Sequence, residues 1–212
     1  GLLVIGFLNG KTYDGNDVAN NASRIAKSVK QLHSAEPFML DFDMFKIQKK
    51  YLEIVTERGF RLPEGYLDFV KAKEDLQVAF AMTDTGKVPC NNDLLPANFI
   101  DDGKKVWLID YEYSGNNDPC FELGNIWSES GQDISVLHEL IVGYYGSDRK
   151  DKFARAWLFS VLAKYGWTLW ASIQDSISEI DFDFWEWGMA KYEDVRRDFG
   201  SKEFYKLINE LN

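Results

Sequence analysis

Asn91-Asn92-Asp93-Leu94-Leu95-Pro96-Ala97-Asn98, followed by Leu108-Ile109-Asp110-Tyr111-Glu112-Tyr113, is the stretch on which the reading of this sequence turns. Two short apolar runs, Asn98 to Ile100 and Val106 to Tyr111, flank Asp101-Asp102-Gly103, a strong hairpin-turn signal. Such a hairpin returns Asp110 toward Asn98 and gathers polar side chains among strands. Val88 to Cys90 reads as a further short strand just upstream.

Outward from this centre the pattern changes to helix. Before it, apolar positions recur at helical spacing from Asp17 to His33 and again from Met44 to Glu57, where Gly59 stands at the C-cap position. Glu64 to Ala81, entered through Pro63, is expected to be a third helix. After it, Asp118-Pro119 supplies an N-cap and a first helical residue. Helices are then expected over Cys120 to Ser128, Ile134 to Tyr145, Asp151 to Ser178, Phe184 to Arg197 and Ser201 to Leu211. Leu2 to Leu8 is a continuous apolar run closed by Asn9-Gly10 and is expected to be a covered strand. The fold class is therefore α+β, mostly α, with a small β-hairpin insert.

Composition sets limits on partners. With 212 residues, 45% of them hydrophobic, the chain has enough apolar material for a real core. Its 34 acidic and 24 basic residues give a net charge of -10, and no dense Lys/Arg stripe offers itself to a phosphate backbone, so nucleic acid is not an expected partner. The short apolar start lacks a basic flank and a cleavage pattern, so neither a signal peptide nor a membrane association is expected. Cys90 and Cys120 form no redox or zinc motif, which points to a reducing, cytoplasmic setting. His33 and His138 are expected at the surface or at helix ends, without ligand partners.

An Asp with an Asn five residues later, then an apolar strand ending in a second Asp, follows the order of a phosphotransferase catalytic loop and metal-binding Asp. Phosphoryl transfer requires a carboxylate to orient the attacking hydroxyl and accept its proton, and hard oxygen ligands to hold Mg²⁺ on the triphosphate. Asp93 is the candidate base; Asn98 and Asp110 are the candidate magnesium ligands. Taken singly, Asp-x-x-x-x-Asn is also what a loop bonding its own backbone looks like.

The whole stretch NNDLLPANFIDDGKKVWLIDYEYSGNNDPCFELGN, residues 91–125, resembles the choline/ethanolamine kinase and aminoglycoside phosphotransferase superfamily. The resemblance includes Asp-x-Glu-Tyr after the strand and Phe-Glu-Leu-Gly-Asn beyond it. It implies a protein-kinase-like large lobe over residues 11–212, with the catalytic loop at 91–98, the metal-binding strand at 106–113 and acceptor-binding helices at 148–212. Residues 1–10 would be the hinge and last strand of a nucleotide lobe that itself lies outside this chain. Val4, Ile5, Gly6, Phe7 and Leu8 would then face the ATP co-substrate. One departure is Asn91, which stands where the family usually carries His.

Acceptor choice follows from the resemblance of Trp167 to Trp187, WTLWASIQDSISEIDFDFWEW, to the choline kinase C-terminal region. Indole faces are the best side-chain partners for a quaternary ammonium. Trp167, Trp170, Phe182 and Trp187 would be the walls of the acceptor pocket, with Tyr113 and Glu129 closing it. A Trp-x-x-Trp stripe is also ordinary core packing. The implied activity is Mg²⁺- and ATP-dependent phosphorylation of choline or ethanolamine. An aminoglycoside or thiamine acceptor, a non-catalytic choline-binding relic and a homodimer are compatible alternatives.

Overall fold

The computed structural model describes residues 6–83 and 85–211. In chain order its elements are β1 (Lys11–Thr12), α1 (Gly15–Asn20), α2 (Ala22–His33), α3 (Met44–Arg58), α4 (Val70–Met82), β2 (Val88–Cys90), β3 (Phe99–Asp101), β4 (Val106–Leu108) and β5 (Gly115–Asn117). Then follow α5 (Pro119–Ser130), α6 (Ile134–Tyr145), α7 (Lys150–Ile177), α8 (Phe184–Phe199) and α9 (Lys202–Glu210). Short 3-10 turns occupy Tyr66–Phe69 and Pro96–Asn98. The chain is mostly helical with small sheets, and it divides into two compact units.

The first unit comprises Gly1–Phe42 and Lys87–Arg149. Here β1, β3 and β4 form one antiparallel sheet, with Asp101 opposite Lys11 and Phe99 opposite Leu108. The expected hairpin is present. Gly103 takes φ 85°, and the Asp102 carboxylate accepts the N–H groups of Lys104 and Lys105 at 2.8 Å. A second, two-stranded sheet pairs Cys90 of β2 with Gly115 of β5.

The helix expected from Asp17 to His33 is two helices. Asn21 breaks it with φ −127° and ψ 18°, its side chain donating to the Asp17 carbonyl at 2.9 Å. Asn competes with the helical backbone for hydrogen bonds, which is why it breaks here. Helices α2 and α6 approach closely because Gly143 has no side chain: a Cβ there would lie 3.0 Å from that of Ala26. Gly146, at φ 79°, ends α6.

Part of the expected strand Leu2 to Leu8 lies outside the described residues. Gly6 to Leu8 are described, and they form no strand; Phe7 is 92% exposed. The β3 edge away from β4 pairs with Lys11–Thr12.

The second unit comprises Asp43–Gly86 and Lys150–Asn212. Asp43 caps α3 through the N–H groups of Phe45 and Lys46, and Gly59 closes it at φ 64°. Tyr66 and Tyr165 stack at 4.1 Å, and each hydroxyl donates to the other's backbone carbonyl, at 2.8 and 2.9 Å. Burial pushes the Tyr66 phenol well above its ordinary range, so it stays a donor. Helices α7 and α8 meet at Gly188, where a Cβ would come 2.5 Å from that of Ala171. The Lys164 ammonium donates to Asp198 at 2.6 Å in a buried ion pair. Among the described residues no helix is long and apolar enough to cross a membrane.

Asp101 pins β3 to α2 and β1. Its carboxylate takes both guanidinium nitrogens of Arg24, one at 2.8 Å, and the Tyr13 hydroxyl at 2.7 Å. The Arg24 guanidinium and the Tyr13 hydroxyl hold this carboxyl well below the usual carboxylate range. A depressed native pKa contributes stability above the unfolded value, and that contribution is lost as pH falls through the native value. The stability gap between wild type and Asp101→Asn is therefore expected to be full near neutrality and to close on acidification. Urea titrations of both proteins across the acidic range would show it, and a gap that does not change with pH would contradict it.

Candidate active site

The segment between β2 and β3 is held by backbone hydrogen bonds that end on one buried carboxylate. Glu122, in the first turn of α5 and 0% exposed, accepts the Asn91 N–H at 2.9 Å through Oε1, which the Asn92 N–H also reaches at 3.4 Å. Its Oε2 lies 2.7 Å from Nε2 of His33, and the Tyr144 hydroxyl meets Nδ1 of the same ring at 2.8 Å. His33 is thus a helix-end residue but not a surface one: it is 6% exposed. The amphipathic reading of α2 places it at the helix end, whereas the fold turns it inward against α5 and α6.

Cys90 Sγ is 3.4 Å from His33 Nε2, so His33, Cys90 and Glu122 form a buried group of potential metal ligands. The contacts are those of a hydrogen-bonded brace, since both Glu122 oxygens already take N–H donors. Burial and the neighbouring Glu122 push the Cys90 thiol well above its ordinary value, which keeps it from acting as a nucleophile.

From this brace the loop turns outward. Asn92 adopts φ 69°, a conformation that Asn tolerates better than most residues. Its amide donates to the Tyr113 and Gly115 carbonyls, both at 3.1 Å. Asn91 does the bridging. Its Oδ1 accepts the Asp93 N–H at 3.0 Å, while Nδ2 donates to the carbonyls of Ile109 at 3.1 Å and Asp110 at 2.8 Å. A single amide therefore ties the start of the loop to the end of the β4 segment, which an imidazole with one donor and one acceptor could do to only one of those carbonyls.

Asn98 closes the set. Its Nδ2 donates to the Asp93 carbonyl at 2.7 Å, and its own carbonyl accepts the Ile109 N–H at 3.1 Å. Asp110 is exposed and sits at φ 58°, an uncommon conformation for a non-glycine residue. The structure thus links Asp93, Asn98 and Asp110 through short hydrogen bonds. With its amide nitrogen bonded to Asp93, Asn98 has Oδ1 as its other polar atom, and this oxygen and the Asp110 carboxylate are hard donors of the kind Mg²⁺ takes. Tyr113 joins the same network through its carbonyl, whereas Glu129 lies near the end of α5 and is half-buried.

In the second unit Trp170 meets Phe184 and Trp187 edge to face, each at 5.7 Å, and Phe182 meets Phe184 at 4.9 Å. Trp170 and Trp187 are half-buried, and Phe182 is 53% exposed. Trp167, by contrast, is 4% exposed and packed inside the unit. Sequence reasoning missed Glu122 and His33 as site residues. The signal was an acid in Cys120-Phe121-Glu122-Leu123, a turn otherwise apolar enough to be buried, where an unpaired carboxylate would be costly.

A family model for choline/ethanolamine kinase matches residues 3–150. Among curated proteins, the chain is 27% identical to probable ethanolamine kinase A of Dictyostelium discoideum, over 90% of this chain and 63% of that protein. It is 24% identical to a probable ethanolamine kinase of Arabidopsis thaliana, over 92% of this chain and 60% of that one. The chain thus spans under two thirds of the length of these relatives. Among solved structures, a choline/ethanolamine kinase family protein from Mesorhizobium loti superposes with TM-score 0.89 at 25% identity, over 97% of this chain and 72% of that one. The choline kinase LicA of Streptococcus pneumoniae superposes at 0.75 with 24% identity, over 90% and 67%.

The Glu122 brace generates a stability prediction. Glu122→Ala leaves buried N–H donors at Asn91, Asn92 and His33 without their acceptor, at about 1–3 kcal/mol for a buried unsatisfied group. Urea unfolding of Glu122→Ala is expected to show a loss of at least that order. A variant as stable as wild type would mean that the carboxylate does not hold the loop.

Proposed function

The chain belongs to the choline/ethanolamine kinase family, and on that premise we propose that the protein transfers the γ-phosphoryl group of ATP to the hydroxyl of an amino alcohol, choline or ethanolamine. The observation that carries the reading is the hydrogen-bonded set Asp93, Asn98 and Asp110, in which Asn91 bonds the Asp93 N–H and the Asp110 carbonyl and Asn98 bonds the Asp93 carbonyl.

In this reading Asp93 accepts a hydrogen bond from the acceptor hydroxyl, aligns its oxygen for attack and takes its proton as the new P–O bond forms. Asn98 and Asp110 would hold Mg²⁺, which when bound supplies charge stabilisation to the transferring phosphoryl group. The rigidity of the loop serves positioning, because most of the catalytic benefit in phosphoryl transfer comes from alignment and fixed charge. Gly6, Phe7 and Leu8 would face the nucleotide; Val4 and Ile5, assigned the same role, lie outside the described residues.

For the acceptor's ammonium we assign the aromatic cluster of the second unit: Trp170, Trp187 and Phe182 as contact surfaces, with Trp167 contributing from the interior. The two cysteines, both buried and neither in a disulfide, fit a reducing cytoplasm.

Asp93→Asn in the intact protein is expected to lose about 10²- to 10⁴-fold in turnover, the usual size of general-base catalysis, while acceptor binding persists. Steady-state kinetics alongside calorimetry would separate the two, and near-normal turnover would overturn the role of Asp93. Trp170→Leu is expected to weaken amino-alcohol binding by about 0.5–2 kcal/mol while leaving nucleotide affinity unchanged. Calorimetric titrations with each ligand measure this, and equal losses for both would mean that Trp170 supports the fold alone.

A further inference from the structure

Within the aromatic cluster, one ring already carries a cation. The Lys191 ammonium lies 4.2 Å from the centroid of the Trp187 ring. The two residues are four apart on α8 and therefore share a helix face, so the helix itself brings the ammonium within reach of the ring. Their placement is fixed from behind. At Gly188, between them in sequence, α8 packs against α7 so tightly that a Cβ would lie 2.5 Å from that of Ala171, and Trp170 of α7 meets Trp187 edge to face at 67°. Trp187 is thus engaged by an indole and by an ammonium at once, and Lys191 is itself half-buried.

We infer that Lys191 is a specificity-determining residue: its ammonium occupies the Trp187 face that a quaternary ammonium would use, and so favours ethanolamine over choline as the acceptor. The inference rests on the amino-alcohol kinase reading above. The physical reason is a difference between the two head groups. A trimethylammonium cannot donate hydrogen bonds, so its recognition depends on ring faces, and each face already taken is a direct loss. A primary ammonium keeps three N–H donors and can be held by carboxylate or carbonyl oxygens instead. Repulsion from the Lys191 charge falls on both monocations alike and cancels in their ratio, whereas the occupied face does not cancel.

The test is the ratio of kcat/KM for choline to that for ethanolamine, measured on the intact protein as wild type, Lys191→Met and Lys191→Arg, with thermal melts to confirm folding. Lys191→Met is expected to raise this ratio about two- to fivefold, the size of one partly exposed cation–π contact, with nucleotide KM unmoved. Lys191→Arg, which keeps a cation on the ring, is expected to retain the wild-type ratio. A folded Lys191→Met protein that turns over both substrates with an unchanged or lower ratio would overturn the inference and leave the kinase reading standing. Failure of the wild type to phosphorylate either amino alcohol would overturn the kinase reading and this inference with it.

Discussion

The first unit depends on one buried carboxylate. Glu122 is fully enclosed, and a charge-bearing group so placed is tolerated only when its oxygens are met by donors. The donors are the backbone N–H groups of Asn91 and Asn92 and the ring of His33. This has a structural consequence beyond stability. Because backbone N–H groups of the loop itself bond the carboxylate, the path of the chain into Asp93 is set by α5, while α2 and α6 steady the carboxylate from the other side through His33 and Tyr144. Asn91 then passes the constraint on to Asp110 by way of two carbonyls. The candidate base and metal ligands are the outer end of a network whose inner end is buried.

Most of the helices were legible in the sequence because apolar period and caps agreed. Asp43 and Gly59 delimit α3, Asp118 and Pro119 open α5, and α6 runs over Ile134–Tyr145 as its pattern indicates. The β3–β4 hairpin was legible for the same reason, its Asp-Gly turn lying between two apolar runs. The strand β5 was not. Gly115–Asn117 has low strand propensity, and it is held by Asn92 and by Asn116, which bonds Phe38 in both directions at 2.8 Å. Those partners are distant in sequence, so no local pattern announces them.

The candidate site shows the same division. Asp93, Asn98 and Asp110 could be named from their spacing, because the hairpin between them is local. Glu122 and His33 could not, since they are separated by 89 positions and become partners only when α2 packs against α5. In the second unit, spacing of three puts Trp167 and Trp170 on one side of α7 but does not say where the surface begins. Of the two, only Trp170 reaches it, alongside Trp187 of α8 and over the buried Phe184, while the interlocked Tyr66 and Tyr165 occupy the interior. Periodicity reports direction, and depth comes from the partner helix.

The central claim, transfer of a phosphoryl group to an amino-alcohol hydroxyl, is most directly tested by phosphorus NMR of the intact protein incubated with Mg-ATP and ethanolamine or choline. The account predicts a new phosphomonoester resonance from the amino alcohol that grows in step with ADP. Formation of ADP and inorganic phosphate without the ester, or an unchanged ATP spectrum, would contradict it.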